Sequence, residues 1–309
     1  MILRSVRYAS TKVPVDDYTY CINHVRKVDY ENFLCTAMLK PSTLQRPGMT
    51  LRALNVELSL IRDQVSNGQL GRMRLEFWNE TIESIYASKN SNLPRKIHHP
   101  VARELDLLIR LNSLTKIWFQ RLIKSREITL DDMPFHDLEQ LETYLEQSIT
   151  PTYYLLLELA QQRSLNTDHI ASHLGRAQGL INIVRGVVYN AQKRRCFLPL
   201  SILVEHRVSQ QDIFNGQLST ESVRHVIYDL CARSAFHLKK TIELYEKQTD
   251  KSSSNRTLFL PIILVYDYLK RIKHIDFDLT NQQIQQRNPW LHWNLWRRKY
   301  PTSNDLSSF

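Results

Sequence analysis

The chain has 309 residues, 42% of them hydrophobic, with 41 Lys and Arg against 31 Asp and Glu and a formal charge of +10. That length suits one large domain or two small ones around a substantial core. Seven glycines, no G-x-G-x-x-G and no Walker sequence exclude the phosphate loops of nucleotide-binding α/β folds, and no stretch reaches the roughly 20 apolar residues of a membrane-spanning helix.

Residues 1–15 carry Arg4, Arg7 and Lys12 and no acid before Asp16. That is the composition of a mitochondrial presequence, or of a plain basic terminus. Asp16 or Asp17 can cap a helix running to about Leu39, which Pro41 stops. A second helical region follows Pro47-Gly48 and continues through Tyr86, with Gly68 and Gly71 marking a break. Residues 94–100 form a loop containing His98 and His99, which as neighbours cannot chelate one ion. Leu105, Leu108, Ile109, Leu111 and Leu114 give an apolar face to a helix from Val101 to about Lys124. Asp131-Asp132 lies in a turn, as a cap or a solvated pair. Shorter helices follow near Leu138–Glu146 and Thr150–Arg163. Thr167 or Asp168 caps a long helix to about Lys193, and Ser219 starts another that ends near Thr249. Residues 250–256 read as a loop, and a last helix spans Leu258 to Lys273. No strand pattern and no repeat appears.

The pattern predicts one all-α domain over residues 16–275, with residues 276–309 as a loosely attached, basic, aromatic segment. In that segment Trp290, Trp293, Trp296, Arg297 and Arg298 have the composition of a membrane-interface or partner contact, or of aromatics docked on the chain's own core. Cys21, Cys35, Cys196 and Cys231 have no metal-ligand spacing and read as buried thiols. The charge admits nucleic acid, anionic lipid or an acidic protein as partner. No helix-turn-helix, RNP or zinc pattern supports nucleic acid.

The most informative stretch runs from His173 to Asp212. In it Gly175, Ala177, Asn182, Ile183, Arg185, Ala191, Arg195, Leu198 and Pro199 fall where squalene and phytoene synthases have G-x-A-x-Q-L-T-N-I-L-R-D-V-x-E-D-A-x-x-G-R-x-Y-L-P. The following His206-Arg-Val-Ser-Gln-Gln-Asp212 is similar to that family's H-G-V-S-x-E-D. Arg52-Ala-Leu-Asn-Val-Glu-Leu58, Arg72-Met-Arg-Leu-Glu-Phe-Trp78 and His99-Pro-Val-Ala-Arg-Glu-Leu105 resemble further segments. The resemblance covers about residues 20 to 273. It implies a single-domain isoprenoid-synthase-like helical bundle with a central cavity.

Enzymes of that family join prenyl diphosphates with Mg²⁺ held by two D-x-x-x-D motifs on facing helices. The i, i+4 spacing puts both carboxylates on one helical face, and the hard cation prefers carboxylate oxygen. By the resemblance the second motif falls on Gly186 and Asn190, with no acid between Asp168 and Glu205. The first is read at Asp63 and Asn67, where one acid survives. Catalytic residues, metal and cofactor are therefore expected to be none. Arg185, Lys193, Arg194 and Arg195 are candidates for a metal-free anion or lipid site, or, at the end of the helix, for dipole compensation. The small residues Gly175, Gly179, Asn182, Gly186 and Asn190 form either a tight packing face or the wall of a slot for a prenyl lipid.

The tail, with Asp276-Phe-Asp-Leu279 and Gln285-Gln-Arg-Asn288, is similar to one branch of the family. Members of that branch carry degraded aspartate motifs, lie on the matrix side of the inner mitochondrial membrane and take part in building respiratory complex I. The resemblance thus implies a non-catalytic assembly factor acting at the early membrane-arm or quinone-module stage. Its expected partners are complex I subunits or assembly intermediates, with peripheral contact to the inner membrane. The alternative is a divergent prenyl-diphosphate transferase or a prenyl-lipid-binding protein.

Overall fold

The computed structural model describes residues 16–88, 97–248, 252–297 and 300–306. The presequence expected at 1–15 and the contact expected at Arg298 lie outside the described residues. The helices are α1 (Asp17–Val28), α2 (Tyr30–Ala37), α3 (Gln45–Gln64), α4 (Gly68–Ala87), α5 (Pro100–Leu111), α6 (Lys116–Ser125), α7 (Leu138–Ser148) and α8 (Thr150–Leu159). They continue as α9 (Leu165–Gln192), α10 (Leu200–Glu205), α11 (Gln210–Phe214), α12 (Glu221–Glu246), α13 (Ser253–Leu258), α14 (Pro261–His274), α15 (Gln282–Gln285) and α16 (Leu291–Arg297). No strand occurs among the described residues.

Local hydrogen bonds cut two of the expected helices shorter and set the expected break of a third. Asp16 caps α1 by accepting from the Thr19 N–H at 2.9 Å, as its position before the apolar run predicts. The helix does not continue to Leu39, because Asp29 leaves helical geometry and its carboxylate binds the Asn32 side chain at 2.9 and 3.0 Å, starting α2. The region after Pro47 divides at Val65, and Asn67 caps α4 through the Leu70 N–H at 3.0 Å. The third expected helix divides into α5 and α6, where the Asn112 amide takes the Leu108 carbonyl at 2.8 Å. The cap of α9 is Ser164 in a reciprocal box with Thr167, rather than Thr167 or Asp168. Residues 253–256, expected as loop, belong to α13.

Helices α9 and α12 form the central pair, with α7, α8 and α14 packed around α9. Ile170, Leu174, Ala177, Ile181, Val184 and Ala191 make the buried stripe of α9. Its two early glycines are packing positions. A Cβ on Gly175 would stand 2.2 Å from Thr150 Oγ1, and one on Gly179 2.6 Å from Leu145 Cδ2. All four cysteines are free and buried.

A polar cluster crosses this core. Glu142 on α7 takes a bidentate pair from Arg233 on α12, and its Oε1 lies 3.0 Å from His237 Nε2. His237 Nδ1 meets His173 Nδ1 at 2.9 Å. Only one proton fits between two ring nitrogens at that distance, so the two rings cannot both be fully protonated. Burial, with His237 beside it, pushes the His173 pKa from 6.5 down to about 4. Burial opposes the Glu142 charge, but His237 and Arg233 outweigh it and hold that carboxyl down at about 2 against an ordinary 4.5. Both groups bind protons more weakly folded than unfolded, so stability is lost as pH falls. Urea unfolding across a pH series is expected to show stability lost first as pH drops from 6.5 toward 4 through His173. A second loss follows below 4.5 through Glu142. His173→Gln is expected to remove the upper window and leave the lower one.

The C-terminal segment is docked, not loose. Arg271 on α14 donates to the carbonyls of Gln283 and Gln286, the Asn288 amide bonds Asp267 at 2.7 Å, and Leu279 and Ile284 are buried. Leu291 and Leu295 pack with Cys35, Leu260, Ile263 and Leu264. Five of the segment's first twenty residues thus close part of the core that composition alone assigned to the bundle.

Candidate functional site

One cavity of about 690 Å³ opens between α3, α9 and the docked segment. Asn55, Val56 and Ser59 face it from α3. Asn182, Ile183, Arg185, Gly186 and Tyr189 face it from α9, and Leu279, Ile284 and Arg287 from the segment. Asn182, Arg185 and Tyr189 are exposed, so the chamber is open to solvent on that side. A Cβ on Gly186 would meet Asn190 Nδ2 at 3.0 Å and nothing else within 4 Å. The small-residue face therefore divides: Gly175 is a packing position, and Gly186 borders open space.

The first-motif expectation at Asp63 and Asn67 is corrected. Helix α3 ends at Gln64 and Asn67 caps α4, so the two do not share a helical face, and neither lines the chamber. The i, i+4 pair of α3 that does line it is Asn55 and Ser59. The signal was present in Arg52-Ala-Leu-Asn-Val-Glu-Leu-Ser59, where these two residues hold the spacing without the charge.

Asp63 instead sits in a cage of cations. Its Oδ1 accepts from Lys193 Nζ at 2.8 Å and from Arg195 Nη1 at 2.6 Å, and its Oδ2 from the Tyr189 hydroxyl at 3.0 Å. Arg195 also reaches Asp132 Oδ1 at 3.1 Å, and Asp132 takes Arg62 as a second partner. Partial burial works against the charge on Asp63, but the donors from Lys193, Arg195 and Tyr189 hold its pKa below the ordinary 3.8. The cage joins the ends of α3 and α9 to the turn before α7. Asp132, expected as a cap or a solvated residue, is one of its members, while Asp131 pairs with exposed Arg72.

The four cations expected to form one anion site do not converge. Lys193 and Arg195 are held by Asp63, Arg194 lies over Phe214 at 5.4 Å, and Arg185 pairs with Glu31 at 2.5 Å. Besides Arg185 the chamber is lined by Arg126, Arg271 and Arg287, which periodicity did not single out. Arg126 Nη2 donates to Asn55 Oδ1 at 2.8 Å, and its Nη1 to the Tyr144 hydroxyl at 3.1 Å. Arg287 lies over the Tyr30 ring at 4.5 Å.

These residues do not fit the Mg²⁺ that the fold family implies. Asn55, Ser59, Gly186 and Asn190 carry no charge, and the amide oxygen of Asn55 is already taken by a guanidinium, which repels a divalent cation. Asp29 and Glu31 do border the chamber, but Asp29 caps α2 and Glu31 is paired with Arg185. Among the described residues no group of three or more His, Cys, Asp or Glu is placed to hold a metal ion.

His99 lies in the expected stretch just before α5. It is half-buried, edge-on to Trp78 at 5.0 Å, with Nε2 3.8 Å from Glu57, which His24 contacts at 3.1 Å. Burial lowers its pKa.

At the tail, Leu291 and Leu295 are 4% and 0% exposed, whereas Trp290, Trp293 and Trp296 are 70%, 48% and 65% exposed. No described helix is long and apolar enough to cross a membrane.

The squalene/phytoene synthase family model matches residues 25–297, through the last residue of α16. A rat protein, NADH dehydrogenase (ubiquinone) complex I, assembly factor 6, is 37% identical over 303 residues, which cover 97% of this chain and 88% of the relative. The human protein of that name is 36% identical, covering 96% and 87%. A homolog of it from Dictyostelium discoideum is 26% identical, covering 92% and 78%. Among solved structures, a squalene synthase from Alicyclobacillus acidocaldarius superposes with a TM-score of 0.71 at 18% identity, covering 85% of this chain and 95% of that one. A dehydrosqualene synthase solved with a ligand gives 0.74 at 16%, covering 94% and 95%.

Proposed function

The chain belongs to the squalene/phytoene synthase family, and from that premise we propose that it is a non-catalytic member that serves as an assembly factor for mitochondrial respiratory complex I. The observation that carries the proposal is the pair of chamber faces. Where two facing helices need carboxylates at i, i+4 to hold Mg²⁺, α3 presents Asn55 and Ser59 and α9 presents Gly186. Without the cation a diphosphate keeps its charge and is a poor leaving group. The names of the relatives supply the assembly role.

In this reading the chain acts at the early membrane-arm or quinone-module stage, on the matrix side of the inner membrane, in peripheral contact with it. The divergent-transferase reading relied on Asp63 as the surviving ligand. That carboxylate is saturated by Lys193, Arg195 and Tyr189, which counts against it.

Removing the chain from cells is expected to lower assembled complex I while the other respiratory enzymes keep their activity, read on native gels. The purified protein, given Mg²⁺ and a prenyl diphosphate, is expected to release no diphosphate above the blank. Normal complex I in the deletion would overturn the assembly role, and turnover by the wild-type protein would overturn the non-catalytic one.

A further inference from the structure

We propose that α16 and its flanks form a ledge that inserts into an anionic lipid surface and brings the mouth of the chamber to headgroup level. The proposal rests on the membrane association proposed above and names the surface and the lipid chemistry.

The ledge follows from helical geometry. At about 100° per residue, Leu291 and Leu295 fall about 40° apart on one side of the helix, and Trp293 and Trp296 about 60° apart on the other. The leucines are buried on the bundle, and the tryptophans are exposed and stacked, with ring centroids 5.0 Å apart. The aromatics are therefore not docked on the chain's own core. A helix already anchored by one apolar side has no internal reason to carry indoles on the other. Indole suits a lipid interface because its body is apolar and its N–H seeks a polar layer.

Charge identifies the lipid. From residue 279 to 304 the sequence contains no Asp or Glu, while it contains Arg287, Arg297, Arg298 and Lys299. Cations beside interfacial aromatics favour an anionic leaflet over a neutral one.

The same segment fixes the orientation. Arg287 lines the chamber and Trp290 begins the ledge. Three residues span at most about 11 Å, so a ledge seated among headgroups holds the chamber mouth beside them. The segment is fastened on both sides of this step, by the Arg271 donors before it and by the Tyr300 ring stacked on Tyr245 at 5.1 Å after it.

The test uses the full chain with neutral phosphatidylcholine vesicles and with vesicles that also contain phosphatidylglycerol. The wild type is expected to co-sediment with the anionic vesicles and to bind the neutral ones more weakly. Trp293→Ser with Trp296→Ser is expected to lower binding by at least about tenfold. Circular dichroism and the melting temperature should not change, since both indoles are exposed. Arg297→Glu should narrow the preference for anionic vesicles while keeping the indoles. A fluorophore placed on Arg287→Cys should be quenched by brominated lipid, and the buried native thiols leave that label specific. Equal binding by wild type and double variant overturns the ledge, and an unquenched label overturns the orientation. If the wild type ignores both vesicle types while the double variant loses capture of a complex I intermediate, the surface is a protein interface and the proposal fails. Vesicle binding combined with normal complex I in the deletion would sink the assembly role and leave the ledge intact.

Discussion

Glu142→Ala is expected to destabilise the protein by about 3 kcal/mol, at the lower end of the cost of breaking a buried ion pair. The carboxylate is 11% exposed and is shared by Arg233 and His237. The two partners differ in what happens next. The Arg233 side chain is 38% exposed and can turn to water, which trims the loss. His237 is 1% exposed, so its Nε2 stays buried without an acceptor. Glu142→Gln keeps an acceptor oxygen and is expected to recover part of the loss. Urea midpoints at neutral pH measure both variants. A shift under half a kilocalorie for the alanine variant would mean that the cluster contributes little.

Two substitutions on α9 are expected to move stability in opposite directions. Gly175→Val should cost about 3 kcal/mol or more, because overpacking that meets backbone cannot be relieved by a rotamer change. The new Cβ would stand 2.2 Å from Thr150 Oγ1 and 3.1 Å from Thr150 Cα, and Thr150 is 0% exposed. Gly186→Ala meets the movable end of Asn190 and otherwise open chamber. Removing a glycine from a helix interior then stabilises by up to about 1 kcal/mol. Thermal melts of the pair read the contrast directly, and equal losses would contradict the division of the small-residue face.

The bundle was legible because its signals are local and repeated. Asp16 before an apolar run and the stripe from Ile170 to Ala191 both mean in the structure what their spacing implies. The break before Gly68 was marked by its glycines, but those at Asp29 and Asn112 were not legible, since they depend on single side chains turning back on the backbone. Gly186 borders the chamber and Asp63 does not. A lone acid draws attention in a sequence, whereas the i, i+4 pair of α3 that faces the chamber, Asn55 and Ser59, carries no charge and drew none. Asp132 and Arg195 are 63 positions apart by number, and no local pattern announces that they meet. The chamber arginines were missed for the same reason, because a lone Arg reads as solvated until the fold brings it to Asn55 or Tyr30.

The thiols give the molecule two independent clocks. Cys35 belongs to the small apolar cluster that Leu291 and Leu295 of α16 help to close, while Cys231 lies in the main core. Burial raises the pKa of both, so neither reacts with an alkylating reagent while covered. Detachment of α16 opens the cluster around Cys35, but Cys231 waits for the main bundle to open. The ratio of their alkylation rates, read by mass spectrometry, reports how often the tail detaches from a bundle that is still folded.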